Sequence, residues 1–273
     1  FYIEKLVYQS FDKLNQSKNI YQKAEELLLE ELGLRDFQPS EQGVNIKSLK
    51  DSFLSTGRLD AEYYQPKYDE IIQHISRKSH DKLANIVDIK KSIEPGSEAY
   101  QETGIPFYRV SNLTKMGLTK PDIHLDELFF DETIKPKKDS ILLSKDGTVG
   151  IAYKLTADLD GITSGALLHL TIKADKKSEV LADYLTLVLN SKIVQLQAQR
   201  DAGGSIIQHW KPSEIEEVII PLIHKEKQLA ISDLIQQSFT LKAKSEQLLE
   251  NAKTLVEMAI EQGEEKALTN FEL

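Results

Sequence analysis

The chain has 273 residues, of which 40% are hydrophobic and 28% are charged, and it contains no cysteine. This length suits one core with an appendage or two small domains, and the composition is that of an ordinary soluble protein. The sequence has no cysteine for disulfides or thiolate metal sites and no apolar run long enough for a membrane span, and its first residues lack the features of a signal peptide, so we expect a cytoplasmic protein with no membrane partner.

The net charge of −9 argues against nucleic acid as a partner, because neutralisation of phosphates supplies most non-specific affinity. The distribution of charge weakens this argument. Residues 67–221 carry 20 basic against 23 acidic residues, and the basic ones are clustered, as at Lys90-Lys91 and 135–138. At this point a solvated mixed-charge surface and a nucleic-acid-binding face both remain open.

Residues 1–32 have the periodicity of a long helix and resemble a segment near the C-terminus. A shift of 228 residues aligns eight identical residues between positions 3 and 32, among them Gln9-Ser10-Phe11 on Gln237-Ser238-Phe239. The chain therefore contains an internal repeat.

Residues 33–66 contain Ser, Gly and two prolines with few periodic apolar positions, and are interpreted as a linker. Residues 67–221 change to short β-rich runs, interrupted by one helix predicted over 178–199. We interpret this part as a mixed α+β globular domain.

Residues 222–263 are predicted as a second long helix, followed by a charged tail at 264–273. If 225–262 is one helix, it spans about 57 Å at ~1.5 Å per residue. Small residues recur every seventh position in both helices, which lets two backbones approach closely, so we expect an antiparallel coiled coil. Separate packing of each helix on the central domain is the alternative. The predicted seam comprises Ser10, Ser17, Ala24, Leu27, Ser238, Leu241, Ser245, Leu248, Ala252 and Leu255.

Sequence signatures of catalysis are missing from the chain. There is no Walker-type loop, no dinucleotide fingerprint, no nucleophile elbow and no Asn/Asp-Pro-Pro-aromatic loop of an amino-methyltransferase. The six histidines show no ligand spacing, so we predict neither a metal site nor a cofactor.

The stretch ILLSKDGTVGIAYKL, residues 141–155, predicts a hairpin around Asp146-Gly147. Ser144, Lys145 and Thr148 are expected to project at its tip. A hairpin without any ligand is the alternative at this stage. Trp210, the only tryptophan, is expected in the core.

The motifs IPFYRVSNLTKMGL, DSILLSKDGTVGIAYKL, TSGALLHLTI and GGSIIQHWKPSEIEEVIIPL, followed by heptads, occur in this order. The ordered set resembles the specificity subunit of type I restriction–modification systems over about residues 67–262. In that family two target recognition domains alternate with two spacer helices that form an antiparallel coiled coil, and each domain reads half of a split DNA target. This chain has one recognition domain between two spacer helices, and we expect a fragment, a C-terminal half or a half-subunit that dimerises.

The resemblance implies a non-catalytic subunit whose central domain reads base edges in the major groove of duplex DNA. Polar and basic residues near the three loop motifs suit base edges and phosphates. The candidate DNA contacts are Arg109, Asn112, Lys115, Ser144, Lys145, Asp146, Thr148, Lys154, Ser205, Gln208, His209 and Lys211.

The resemblance also implies two kinds of protein partner. DNA methyltransferase (modification) subunits would bind S-adenosylmethionine and methylate adenine, and a restriction subunit would use ATP for translocation. The alternatives are a coiled-coil protein-interaction or scaffolding module without DNA binding, and an enzyme of unknown class.

Overall fold

The computed structural model describes residues 2–126, 135–203 and 206–269. Contacts divide the chain into two compact units. The first unit comprises the described parts of Phe1–Leu28 and Ala230–Leu273, and the second comprises those of Leu29–Leu229.

A long helix lies near each end of the described chain, and short helices and strands lie between them. The helices of the described residues are α1 (Tyr2–Glu31), α2 (Phe53–Thr56), α3 (Pro66–Ser76), α4 (Leu83–Ile86), α5 (Ala182–Asn190), α6 (Lys192–Ala202), α7 (Pro212–Glu216), α8 (Lys225–Gln262) and α9 (Glu264–Thr269). The strands are β1 (His80–Lys82), β2 (Val87–Lys91), β3 (Tyr100–Gln101), β4 (Ile105–Tyr108), β5 (Leu113–Thr114), β6 (Gly117–Leu118), β7 (His124–Leu125), β8 (Ile141–Ser144), β9 (Asp146–Gly147), β10 (Ala152–Lys154), β11 (Ile162–Thr163), β12 (Leu167–Ile172), β13 (Gln208–His209) and β14 (Ile219–Pro221).

The first unit is built on an antiparallel pairing of α1 with α8. The hydroxyl of Ser10 is 3.0 Å from that of Ser245, and the hydroxyl of Ser17 is 3.1 Å from that of Ser238. Ser10 and Ser245 also each donate to the other's carbonyl, at 2.9 and 2.8 Å, and Ser238 donates to the carbonyl of Ser17 at 2.8 Å. Backbones can approach this closely only where side chains are small. The predicted antiparallel pairing of the two long helices is therefore confirmed.

The other residues of the predicted seam differ in how far they are buried between the two helices. Ala24, Ala252 and Leu255 are buried, whereas Leu27, Leu241 and Leu248 are half-buried. Leu6 packs with Ala252 and Leu255 in a small apolar cluster. The serine rungs and these apolar contacts together hold the helix pair.

The internal repeat has a geometrical counterpart in this pair. A shift of 228 residues places Ser10 on Ser238 and Ser17 on Ser245, so it exchanges the two serine rungs with each other. The pair therefore has a local two-fold relation between its helices.

Two four-stranded sheets form the frame of the second unit. The first has the strand order β10-β8-β12-β2 and is antiparallel throughout. The second has the order β11-β4-β7-β3, with β11 parallel to β4. Strand β12 is central to the first sheet, and five of its six residues are buried. Together with the long paired helices, these sheets confirm the predicted mixed α+β class.

The helix predicted over 178–199 is two helices, α5 and α6, which meet at Ser191. The Asn190 amide donates to the carbonyl of Ala152 at 2.8 Å, and its side-chain oxygen accepts from the Ala152 N–H at 3.0 Å. Ser191 is extended, with ψ 162°. The prediction of a single helix was wrong here. The hydrogen bonds of Asn190 to β10 end α5, and a new helix, α6, begins at Lys192.

The segment 33–66 contains α2 and contacts the end of α6. Arg58 donates to both carboxylate oxygens of Asp60, at 2.8 and 2.7 Å, and to the carbonyl of Asp201 at 2.9 Å. Its guanidinium also lies 4.5 Å from the ring centroid of Tyr63. This arginine therefore links the segment to the C-terminal end of α6.

Candidate nucleic-acid interface

The hairpin predicted around Asp146-Gly147 is present. Strands β8 and β10 pair antiparallel, with Leu143 opposite Ala152. Gly147 and Gly150 have φ angles of 73° and 81°, in the left-handed region that glycine adopts without strain. A Cβ at Gly150 would also lie 2.7 Å from the amide nitrogen of Gln195, so the Gln195 side chain would have to move away from the hairpin.

The tip of this hairpin orients its side chains differently from the prediction. Ser144 is fully buried, and its hydroxyl accepts from the N–H of Ile151 at 2.9 Å. Lys145 is only 8% exposed, and its amine contacts the carboxylate of Asp146. Thr148 is exposed as expected. Ser144 and Lys145 therefore shape the tip from within, and only Thr148 of the three projects.

Two of the predicted clusters are joined by a short ladder. Strand β13 pairs antiparallel with β9, which places Gln208 opposite Gly147 and His209 opposite Asp146. The N–H of the buried Trp210 donates to the carbonyl of Lys145 at 2.7 Å, and Trp210 lies in the core as predicted. We call Asp146, Gly147, Thr148, Gln208 and His209 the β9–β13 strip.

The electrostatics of the strip centre on Asp146. Burial would raise the pKa of this carboxyl, but hydrogen bonds from Lys145 and His209, together with their charges, hold the pKa below its ordinary value. The Nδ1 of His209 is 2.9 Å from the Asp146 carboxylate, while the imidazole remains 66% exposed. The strip thus presents an ionised carboxylate in contact with an imidazole, with the half-buried Gln208 next to His209 in the sequence.

The third predicted cluster follows β4 and is organised by Asn112. The buried side chain of Asn112 accepts from the backbone N–H of Arg109 at 2.9 Å, which fixes the turn Val110–Asn112. Arg109 donates to Asp122 at 3.1 Å, and Lys115 is exposed at the β5–β6 turn. Of these residues, Arg109 and Lys115 present cations on the surface and Asn112 holds the backbone.

A segment that the sequence analysis did not select connects this cluster to the hairpin. The N–H of Ser164 donates to the carbonyl of Tyr108 at 2.8 Å, and the N–H of Lys145 donates to the carbonyl of Ala166 at 2.9 Å. Within the described residues, the buried Nε of Arg109 and hydroxyl of Ser164 have no hydrogen-bond partner. Both atoms belong to this junction. The only sequence signal was the Thr-Ser-Gly of the TSGALLHLTI motif.

The remaining candidates lie in different settings. Lys154 forms a 2.6 Å ion pair with Asp183, and both side chains are nearly buried. Lys211 is exposed and lies 3.3 Å from the carboxylate of Glu214. Ser205 lies outside the described residues. Lys154 therefore joins β10 to α5 in the interior, whereas Lys211 is on the surface next to the β9–β13 strip.

The described residues were also compared with what a metal site and a membrane span require. In the described ranges, no group of three or more His, Asp or Glu residues could hold a metal ion. None of the helices described above is long and apolar enough to cross a membrane.

A family model for the type I restriction modification DNA specificity domain matches residues 80–252. This match covers more than half of the sequence, and the chain belongs to that family. The matched range contains every candidate DNA contact named above. A comparison with curated proteins found no match.

Solved structures of type I systems are similar to this chain at 14% identity. One comes from work on complex assembly and conformational transition of the type I R-M system, with a TM-score of 0.46 and coverage of 94% of this chain and 56% of that one. The HsdS subunit from Thermoanaerobacter tengcongensis has a TM-score of 0.45, with 96% and 56% covered. The type I S subunit from M. genitalium has a TM-score of 0.45, with 96% and 59% covered. The chain thus spans little more than half the length of these proteins.

Proposed function

We propose that this chain is the non-catalytic DNA-recognition component of a type I restriction–modification complex, and that its second unit reads half of a bipartite duplex target. Membership of the DNA specificity family over residues 80–252 carries this proposal. The candidate interface supplies the chemistry that reading requires, in a chain whose sequence contains none of the catalytic signatures sought.

The β9–β13 strip is proposed to face the major groove. A glutamine amide such as that of Gln208 can pair with adenine, and a carboxylate such as that of Asp146 can accept from the amino group of cytosine. His209 and Thr148 are exposed beside them. The pairing of β9 with β13 brings these residues together from two parts of the sequence, which supports a shared recognition surface.

The cations around the strip are proposed to hold phosphates. Arg109, Lys115 and Lys211 present charge at the surface, and phosphate contacts fix the register of a protein on DNA without reading sequence. Asn112, Ser144, Lys145 and Lys154 are proposed to act from the interior by holding these groups in place.

The partners implied by this function are duplex DNA, modification subunits and a restriction subunit. We propose that the paired α1 and α8 act as the coiled-coil spacer on which modification subunits dock. A second copy of the chain is proposed to complete the bipartite reading if the functional unit is a half-subunit. The proposed location is the cytoplasm, where these partners and DNA meet.

One observation favours the alternative of a protein-interaction module. Residues 44–59 expose several large apolar side chains, including Val44, Ile46, Leu49 and Leu59. Contiguous exposed apolar surface is typical of protein contact sites. A scaffolding protein would bind another protein through this surface and would show no preference among DNA sequences.

The test compares the full chain with Lys115→Ala/Lys211→Ala on duplex DNA at several salt concentrations. Each lost phosphate contact is expected to reduce the slope of log affinity against log salt by about 1, and to weaken binding uniformly across sequences. Lys18→Ala/Lys23→Ala, at exposed positions of α1, is the matched control. Unchanged affinity and slope in the first variant would remove both lysines from the interface. Absence of any preferred sequence for the unmodified chain would favour the scaffolding alternative.

A further inference from the structure

Two adjacent isoleucines stand out on the surface of the second unit. Among the described residues of 67–221, the exposed large apolar side chains are Tyr100, Ile206 and Ile207. Ile206 is fully exposed and Ile207 is 61% exposed, whereas Tyr100 is 36% exposed. The aliphatic side chains of β8 and α5 are buried. An exposed isoleucine pair in such a domain contributes no core packing.

The chain on either side of this pair is anchored. Before it, Arg58 donates to the carbonyls of Asp201 and Gly203, at 2.9 and 3.5 Å, and its own guanidinium is held by Asp60. After it, the β9–β13 ladder begins at Gln208, and the buried Trp210 follows. Backbone contacts therefore hold the chain both before and after the two isoleucines.

The position of the pair determines what it would contact. Ile207 directly precedes Gln208, which belongs to the β9–β13 strip, so the isoleucine pair lies next to the strip along the chain. On the major-groove edge of DNA the 5-methyl group of thymine is the apolar feature among hydrogen-bond donors and acceptors. An aliphatic side chain next to groove-reading polar groups suits that methyl group.

We propose that Ile206 and Ile207 determine specificity for thymine, by contact with the 5-methyl group at one or two positions of the half-site. This proposal rests on the proposed DNA-reading function and adds the base that this part of the surface selects. The contact removes a methyl group and part of the isoleucine surface from water, which is worth about a fourfold difference in affinity for each buried methyl.

The experiment begins with selection of preferred duplexes from a random pool by the full chain. Each thymine of the selected half-site is then replaced by deoxyuridine, which lacks only the 5-methyl group. Wild-type chain is expected to lose about fourfold in affinity at one or two positions. The variant Ile206→Ala/Ile207→Ala is expected to bind the thymine and deoxyuridine duplexes equally.

Ile46→Ala is the matched control, because Ile46 is also an exposed isoleucine but belongs to the segment before the β-rich domain. It is expected to keep the full deoxyuridine penalty. A second variant, Ile206→Val/Ile207→Val, keeps a branched apolar side chain and is expected to retain most of the penalty. Thermal unfolding of all variants should match wild type, because the substituted side chains are exposed.

The outcomes separate this proposal from the one on which it rests. If wild type selects no sequence, the DNA-reading function fails and the thymine proposal fails with it. If wild type selects a half-site but no deoxyuridine substitution weakens binding, only the thymine proposal is overturned. It is likewise overturned if the alanine variant keeps the penalty. A penalty that survives in the alanine variant would mean that other residues contact the methyl group.

Discussion

His169 lies within the central strand β12, where its Nε2 is 2.6 Å from the hydroxyl of Thr163. Burial of the ring, followed by the charge of Lys90 opposite it in the sheet, lowers the pKa of His169 to about 4. An imidazole in this position is neutral at physiological pH. It therefore acts as a hydrogen-bonding core residue.

This pKa makes the stability of the chain depend on pH. Between pH 6.5 and about 4 the unfolded state binds a proton that the folded state does not, so stability falls as pH is lowered through this window. The full effect is up to about 3 kcal/mol. His169→Gln can keep a hydrogen bond to Thr163 without taking up a proton, and is expected to lose less stability over the same window. Urea unfolding at several pH values measures the difference.

The control for this prediction is His80→Gln, because His80 is exposed. It is expected to leave the pH profile of wild type unchanged. A His169→Gln profile that parallels wild type from pH 6.5 to 4 would show that the buried ring does not cause the acid loss.

At the scale of elements, the helix pair depends on the size of four side chains. The rungs Ser10–Ser245 and Ser17–Ser238 leave no space for a branched residue, because each hydroxyl lies within hydrogen-bonding distance of the facing helix. The hydrogen bonds of such rungs contribute about 1 kcal/mol each. Insertion of larger side chains into packed contacts typically costs about 1–3 kcal/mol.

The two-fold relation within the pair leads to a quantitative expectation. Ser17 and Ser245 occupy equivalent positions in the 228-residue repeat. The substitutions Ser17→Leu and Ser245→Leu are therefore expected to lower the free energy of unfolding by a similar amount, about 1–3 kcal/mol. Thermal or urea unfolding measures this. Asn19→Leu, at an exposed position of α1, is the control and is expected to change stability little. Full tolerance of leucine at both serines would mean that the helices do not pair closely in solution.

The β9–β13 ladder is short, but it connects two parts of the candidate interface. Each strand has two residues, yet their pairing joins the hairpin tip to the loop after α6. Lys145 and Trp210 support the ladder from within, through the 2.7 Å hydrogen bond between their backbones. The residues of the β9–β13 strip are thus held in place by contacts in the interior.

At the scale of the whole molecule, the net charge of −9 is unfavourable for a protein that binds DNA alone. Partner subunits that carry positive charge would bind the flanking DNA, and this chain would recognise the target sequence. The chemistry of modification and cleavage would then belong to those partners.

The corresponding prediction concerns activity of the isolated chain. Incubation with duplex DNA, S-adenosylmethionine and Mg²⁺-ATP is expected to give neither methylation nor cleavage. Addition of a cognate modification subunit is expected to produce adenine methylation at the sequences that the chain selects. Sequencing of methylated sites measures both arms. Modification or cleavage by the purified chain alone would overturn the non-catalytic assignment.

Much of the architecture follows from the sequence, because helices and strands leave local periodic signals. Heptad spacing and recurrent small residues predicted α1, α8 and their antiparallel pairing, and alternating apolar runs with Asp146-Gly147 predicted the β8–β10 hairpin. The break at Ser191 was missed because it depends on hydrogen bonds between Asn190 and Ala152, which are 38 residues apart.

For the candidate site, too, some features could be predicted from the sequence and others could not. By itself the sequence determined the class of fold and the motifs near which the candidate recognition residues were predicted. Only the tertiary structure decided that Lys145 and Ser144 point inward, that His209 meets Asp146 from 63 residues away, and that Ile206 is exposed. The direction of a loop side chain depends on long-range contacts that have no period along the chain, whereas the seam of a long helix repeats every seven residues and can be read from the sequence.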